Sequence, residues 1–284
     1  DGPWTAYTEY KSTTNADDTV TKSAKKVQVY GGLRMGGYAY YGLDLSDMSA
    51  PKLLFRIGPK TLGTTTTSPL LGIQETGSNA DYARMGQSWS KPVITNIRYN
   101  GAVVRVMIVG GGYDPQYETP TFNSTGASTT LGNAVYIVNA ETGALIKAIS
   151  TADNADIKYS IPGSINVQDR DADGLTDHLY FSDLGGQVFR VDLNNRSQFT
   201  SGKTGKFVAR VKTLAQITNT DGTKPRFYER PVVTIHEDGV DRFAVVSIGS
   251  GDRSNPLDIL ATDLGGQGVT ATNNNRIYGF IDRD

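Results

Sequence analysis

The sequence predicts an all-β fold: a β-propeller built from repeated four-stranded antiparallel blades, with long loop insertions. Three observations carry that expectation. Apolar residues recur with period two, strand and turn formers dominate the composition, and one strand layout returns four times along the chain.

The period-two runs are short. Val27-Gln28-Val29-Tyr30, Val104-Arg105-Val106-Met107-Ile108-Val109, Val135-Tyr136-Ile137-Val138 and Phe243-Ala244-Val245-Val246-Ser247-Ile248 are β-branched or aromatic and end at Gly, Asp or Asn. No long window holds a convincing helical stripe. At most, residues 80–88 and 255–261 each carry a single helical turn. Fifteen Tyr, 32 Gly and abundant Thr, Ser and Asn favour strands and tight turns over helices.

The repeat gives these runs an architecture. Residues 27–32, 40–44 and 52–57 form the first set; 92–94, 104–112, 134–139 and 145–149 the second. Residues 164–167, 178–186, 188–192 and 207–211 form the third; 231–235, 242–251 and 276–282 the fourth. The units run over approximately 1–60, 88–150, 160–214 and 226–284 of one propeller domain spanning 1–284. A blade buries its faces only against its neighbours, so stacking explains how a Gly- and Thr-rich chain finds a core. The last unit lacks its outer strand: either the chain is cut, or the N-terminal segment closes the ring. A two-sheet sandwich is the competing architecture. Polar insertions at 61–87, 113–132 and 253–275 interrupt the repeat and offer recognition surfaces or plain solvated excursions.

Composition removes several function classes. With 28 Lys+Arg against 29 Asp+Glu, and no basic block longer than Lys25-Lys26, nucleic acid is disfavoured as a partner. The absence of Cys excludes disulfides, thiolate zinc sites and thiol catalysis. No apolar stretch approaches the about 20 residues of a membrane span, so the chain is expected not to span a membrane. No signal peptide precedes Asp1-Gly2-Pro3-Trp4, an opening that reads as an excised fragment or a mature product.

The sharpest chemical feature is Asp169-Arg170-Asp171-Ala172-Asp173-Gly174-Leu175-Thr176-Asp177. Carboxylates at loop positions 1, 3, 5 and 9 with Gly at 6 reproduce the start of an EF-hand calcium loop. Ca²⁺ takes six to eight hard oxygens at about 2.3–2.6 Å, and alternate residues of a tight turn can point inward together. Gly174 permits the sharp bend, and the carbonyl of Leu175 falls where the backbone supplies a ligand. The expected ligand set for Ca²⁺ is therefore Asp169, Asp171, Asp173, Leu175 and Asp177. Four carboxylates with only Arg170 between them repel one another unless a cation intervenes. Mg²⁺ fits less well, because it prefers few protein ligands and keeps its waters. Position 12 is Tyr180 rather than Glu, and both flanks are strand-like, so the loop ties a β-hairpin rather than two helices. The plain alternative is an acidic Asx-type turn without metal.

The run YSIPGSINVQDRDADGLTDHLYFSDLGGQVFRVDL (159–193) resembles the signature of the PilC/PilY family of type IV pilus tip-associated proteins. VYGGLRMGGYAYYGLDLSD, GQSWSKPVI, VMIVGGGYDP, GNAVYIVNAETG and VVSIGSGDRSNPLD fit the same family, in the same order, over most of the chain from about Tyr30 onward. The resemblance implies the family's modified β-propeller, with earlier propeller strands and an adhesive region outside this chain. It implies calcium held by Asp169, Asp171, Asp173, the Leu175 carbonyl and Asp177. It also implies a role in pilus extension against retraction, twitching motility and surface attachment. The location it implies is the bacterial cell surface, at the pilus tip or outer membrane. Type IV pilus components such as minor pilins, and a host or abiotic surface, are the implied partners. The integrin-type Arg-Gly-Asp of some members is missing; Gly251-Asp252-Arg253 has a different order, so integrin binding is not carried over.

Other candidates are weaker. Gly202-Lys203-Thr204-Gly205-Lys206 lacks the Ser/Thr and first Gly of a phosphate loop. Gly110-Gly111-Gly112-Tyr113-Asp114 and Asp183-Leu184-Gly185-Gly186 read as strand-end bends. His178 and His236, the two histidines, have no nucleophile motif nearby. Asp252 and Asp258 as a glycosidase pair compete with plain solvated loop acids. The expectation is a non-enzymatic module; a propeller enzyme, either quinoprotein dehydrogenase or glycoside hydrolase, is the alternative. The presence of only two Trp and no Cys weighs against the quinoprotein.

Overall fold

The structure, a computed structural model, describes residues 2–59, 82–118, 129–195, 207–220, 222–239, 241–253 and 275–283. Most of the 61–87 and 253–275 insertions, residues 119–128 of the 113–132 insertion, the Gly202–Lys206 segment, Asp258 and the 255–261 turn therefore lie outside the described residues. Of the turn expected at 80–88, the described part is a bend closed by the Met85 amide donating to the Tyr82 carbonyl at 3.0 Å.

Strands account for nearly all the regular structure among the described residues. β1 (Trp4–Thr14), β2 (Val20–Gly32), β3 (Tyr40–Asp44) and β4 (Lys52–Ile57) form the first sheet. β5 (Val93–Tyr99), β6 (Ala102–Gly110), β7 (Val135–Asn139) and β8 (Leu145–Ile149) form the second. β9 (Asn166–Gln168), β10 (His178–Ser182), β11 (Gln187–Leu193) and β12 (Val208–Gln216) form the third. β13 (Val232–Asp238), β14 (Asp241–Gly249) and β15 (Ile277–Asp282) form the last. Every pairing is antiparallel between neighbours in sequence, which is the up-and-down order of propeller blades.

Two features differ from the sequence expectation. Of the two alternatives for the short last unit, closure by the N-terminal segment is not seen among the described residues: β1 pairs with β2 in the first sheet, from Trp4↔Gly31 to Thr14↔Val20. Periodicity missed β1 and the first half of β2 because the distal hairpin is exposed on both faces. With no face to bury, Thr, Lys and Ser replace the apolar alternation. Second, a turn of 3-10 helix at Pro115–Glu118 follows the second sheet's glycine run and buries Tyr117.

The core lies between successive sheets. Tyr30, Tyr40, Phe55 and Ile57 of the first sheet meet Met107, Val109, Tyr136 and Val138 of the second. On its other face the second sheet presents Val106, Ile108 and Ile137 to Leu179, Phe181, Phe189 and Val191 of the third. The third packs Tyr180 and Val188 against Val246 and Ile248 of the last. Met107 and Ile108 face opposite neighbours because successive side chains of a strand point to opposite faces. Each such buried side chain contributes roughly 1.5–3 kcal/mol.

Side chains also tie the sheets together where their first strands begin. Thr5 Oγ1 donates to the Pro92 carbonyl at 2.6 Å, and Ser164 Oγ to the Lys91 carbonyl at 2.8 Å. Asn166 Nδ2 donates to the Pro231 carbonyl at 2.9 Å. Lys91, Pro92 and Pro231 stand just ahead of β5 and β13, and their carbonyls accept from the neighbouring sheet. Among the described residues no helix is long and apolar enough to cross a membrane.

Candidate metal centre

The acidic loop spans the turn between β9 and β10, as the strand-like flanks predict. Its base is closed by the pairing of His178 with Gln168 and by the Asp177 amide donating to the Gln168 carbonyl at 2.8 Å. Gly174 adopts φ +85° with nothing within 4 Å of the position a side chain would take. Its hydrogen therefore serves the backbone turn and not a close contact. Ala172 also takes positive φ, at 61°, a strained conformation that the repeating Asp spacing did not foretell.

Within the loop, carboxylates gather backbone donors. Gly174 N–H donates to Asp169 Oδ2 at 2.8 Å, and Arg170 N–H to Asp177 Oδ2 at 2.8 Å. The Asp173 amide reaches Asp169 Oδ1 at 3.2 Å and Asp171 Oδ1 at 3.3 Å. These bonds turn the Asp169, Asp171 and Asp177 side chains toward a common point. Each offers an oxygen, and the three oxygens lie within 4.8 Å of one another. Ligands at the calcium distance on opposite sides of one ion stand up to about 5 Å apart, so this donor set fits a single Ca²⁺. Asp173 stands outside the group of three: its Oδ1 accepts the Leu175 amide at 2.8 Å in an Asx turn. Leu175 buries its side chain, to 4% exposure, beneath the loop.

Neighbouring elements hold the C-terminal half of the loop, and these residues carry no signal in the sequence. Thr176 N–H donates to the Asn96 carbonyl of β5 at 2.9 Å, and the Thr95 and Thr176 hydroxyls meet at 2.8 Å. Asn195, beyond the end of β11, donates Nδ2 to Asp177 Oδ1 at 2.9 Å and to the Thr176 carbonyl at 2.6 Å. The loop is thus clamped by its own sheet and by the preceding one, while its tip stays in water.

On the other side lies a small cleft of about 80 Å³ between the third and last sheets, reached by Asp169, Arg170, His178 and Arg242. His178 begins β10 and shares a hydrogen bond of 2.8 Å from Nδ1 to Asp192 Oδ1. Burial works to raise the Asp192 carboxyl, but hydrogen bonds from His178, Arg190 and Arg210 hold it well below the usual carboxylate range. Asp192 is therefore a fixed anion that organises cations beside the loop.

The remaining candidates fall into structural roles. Gly112 (φ +100°) lies so close to the Gln87 carbonyl that a Cβ would come within 2.1 Å. Asp183 accepts amides from Gly185 at 2.9 Å and Gln187 at 3.0 Å, closing the bend after β10. Asp252 is no free loop acid: Arg226 Nη1 donates to it at 2.8 Å. His236 Nε2 shares its contact with Thr234 Oγ1 at 2.8 Å.

Comparison with known proteins agrees with this architecture. The family described as the PilY1 β-propeller domain matches residues 11–235. The type IV pilus biogenesis factor PilY1 of Pseudomonas aeruginosa is 26% identical over 184 residues, 63% of this chain and 13% of that protein. A PilY1 homologue from Xylella fastidiosa is 28% identical over 198 residues, 67% of this chain and 11% of that protein. The crystal structure of the Pseudomonas aeruginosa PilY1 C-terminal domain superposes with a TM-score of 0.54 at 19% identity. That match covers 86% of this chain and 43% of the solved one, a likeness of fold.

Proposed function

The chain belongs to the PilY1 β-propeller family, and from that premise we propose that it is a calcium-binding surface domain of a type IV pilus biogenesis factor. In this reading Asp169, Asp171 and Asp177 hold Ca²⁺ through carboxylate oxygens. Asp173 and the Leu175 carbonyl complete the set as the loop tightens. Calcium supplies the positive charge that lets these acids share one corner. The protein's own part is to pre-arrange the oxygens and to transmit the tightening through Thr176 to β5 and through Asn195 to β11.

The observation that carries the proposal is the convergence of three carboxylates on one point of a hairpin held by two sheets. Ordering that hairpin stiffens one blade and alters how the propeller engages a pilus component such as a minor pilin. The consequences for the cell are a shift in the balance of pilus extension and retraction, with effects on twitching motility and on attachment to a host or abiotic surface. The working location is the cell surface, at the pilus tip or the outer membrane. A non-enzymatic role is supported by the relatives, which are named as biogenesis factors. Because the chain spans 11–13% of those relatives, the activities of the whole protein enter here as part of the proposal.

Calorimetric titration with Ca²⁺ tests the site. Wild-type protein is expected to bind one ion saturably, and Asp171→Asn to weaken binding at least about tenfold, the loss of one charged ligand. The metal-free melting temperature should not change. A wild-type protein that takes up no Ca²⁺ overturns the proposal. Surface piliation and twitching of cells carrying Asp171→Asn then read the biological consequence.

A further inference from the structure

The chain entries to the first strands of the sheets converge at the end opposite to the acidic loop. Pro3 precedes β1, Lys91 precedes β5, Pro162 and Ser164 precede β9, and Arg230 precedes β13; all line one open bowl of about 350 Å³. Trp89 and Tyr228 also line it, and both belong to an aromatic cluster with Tyr113 and Tyr117. β9 begins at the bowl and ends at the acidic loop, so the two sites occupy opposite rims of the third sheet.

The charge of the bowl is one-sided. Arg34, Lys91, Arg230 and Arg253 line it, against a single carboxylate, Glu229, which is paired with Arg253. Repeat positions supply this charge. Lys91-Pro92-Val93 and Arg230-Pro231-Val232 are the same entry in the second and last sheets. Arg34 and Arg253 both lie in connections from the second to the third strand of a sheet. Cations collected from equivalent positions of separate blades repel one another across the bowl unless an anion enters.

Arg34 supplies the independent observation. It holds the left-handed conformation at φ 50°, which costs a side-chain-bearing residue free energy, and its amide is fixed to the Ser88 carbonyl at 3.2 Å. Its guanidinium lies 5.7 Å from the Trp89 ring centroid, and Nε is buried without an acceptor among the described residues. A strained backbone thus delivers a guanidinium to an aromatic wall with part of its donor capacity unsatisfied. The Ser88 bond and the Trp89 ring offset part of that cost in the folded chain, and a bound oxyanion would supply the acceptor that the guanidinium still lacks.

We propose that this bowl binds an oxyanion, the carboxylate or phosphate group of a ligand about the size of one sugar unit. Arg34 and Arg230 provide planar guanidinium donors, Lys91 a point charge, and the Trp89 and Tyr228 surfaces the apolar wall. The site is independent of the acidic loop and of any metal held there.

Calorimetry with glucuronate, inorganic phosphate and neutral glucose, in calcium-free buffer of low ionic strength, tests the assignment. Saturable binding of glucuronate alone identifies a carboxylated sugar, and of phosphate alone a phosphoryl group; either supports the site, as does binding of both. Glucose is expected not to bind. Lys91→Gln and Arg230→Gln, both at exposed positions, should each weaken the anion about tenfold at unchanged melting temperature. Binding of neither anion, or binding unaltered in the double variant, overturns the proposal.

Discussion

Arg190 of β11 and Asp282 of β15 form an ion pair across the junction of the third and last sheets, Nη1 lying 2.7 Å from Oδ2. Both side chains are nearly sealed from water, at 4% and 2% exposure. Arg190 also donates Nε to Asp192 at 2.7 Å, and Tyr180 donates its hydroxyl to Asp282 at 3.1 Å. One buried cation is therefore shared by two carboxylates from two sheets, and the last blade is fixed to the body of the domain by charge as well as by packing.

Removing one partner of a buried pair leaves the other charge with too little compensation, at a cost of about 3–5 kcal/mol. Asp282→Ala is expected near the lower end, since Asp192 still serves Arg190. The urea midpoint of unfolding measures the loss. A change under about 1 kcal/mol would show that the pair does not hold the last sheet.

Two glycines at positive φ should respond differently to alanine. Gly174 is open on all sides, so Gly174→Ala adds only left-handed strain, about 1–2 kcal/mol. Gly112→Ala adds the same strain and drives a Cβ to 2.1 Å from the Gln87 carbonyl. It should cost more than about 4 kcal/mol or prevent folding. Expression yield and melting temperature of the pair decide the matter.

Complete burial pushes the Asp183 carboxyl up to about 8, against the pull of the Gln187 and Gly185 amides. Its unfolded value is about 3.9. Between these values the folded state binds the extra proton, so stability attributable to Asp183 is full below about pH 4. It declines as pH rises, and is lost once pH passes about 8. Asp183→Asn should flatten this slope and melt higher than wild type at pH 9. Equal slopes in the two proteins would remove Asp183 as its source.

Chelation should loosen the 169–177 loop and leave the strands intact. The Asp173, Gly174 and Leu175 amides, which donate only to loop carboxylates, are expected to exchange faster with solvent deuterium in EDTA than in millimolar Ca²⁺. Protection in β10 and β11 should change little. Identical loop exchange in both buffers would mean that calcium does not order this hairpin.

Most of the third unit was legible in the sequence, because its inner strands β10 and β11 are largely buried and its loop has fixed chemistry. Phe181 and Val191 announce the sheet by apolar alternation, and the Asp spacing announces the turn. The β1–β2 hairpin was not legible: a strand pair that buries neither face at its tip has no period to read. Asp252 reads as a plain loop acid for a related reason: its partner Arg226 lies 26 residues away and meets it only in the folded chain.

The sequence by itself determined the repeat of antiparallel sheets, the acidic hairpin and its glycine, because each is set by local spacing along the backbone. Tertiary structure alone decided that β1 completes the first sheet, that Asn195 and Thr95 clamp the acidic hairpin, and that Arg34, Lys91 and Arg230 share one bowl. Those relationships join residues from different blades, and packing between sheets, which no local pattern encodes, is what brings them within reach.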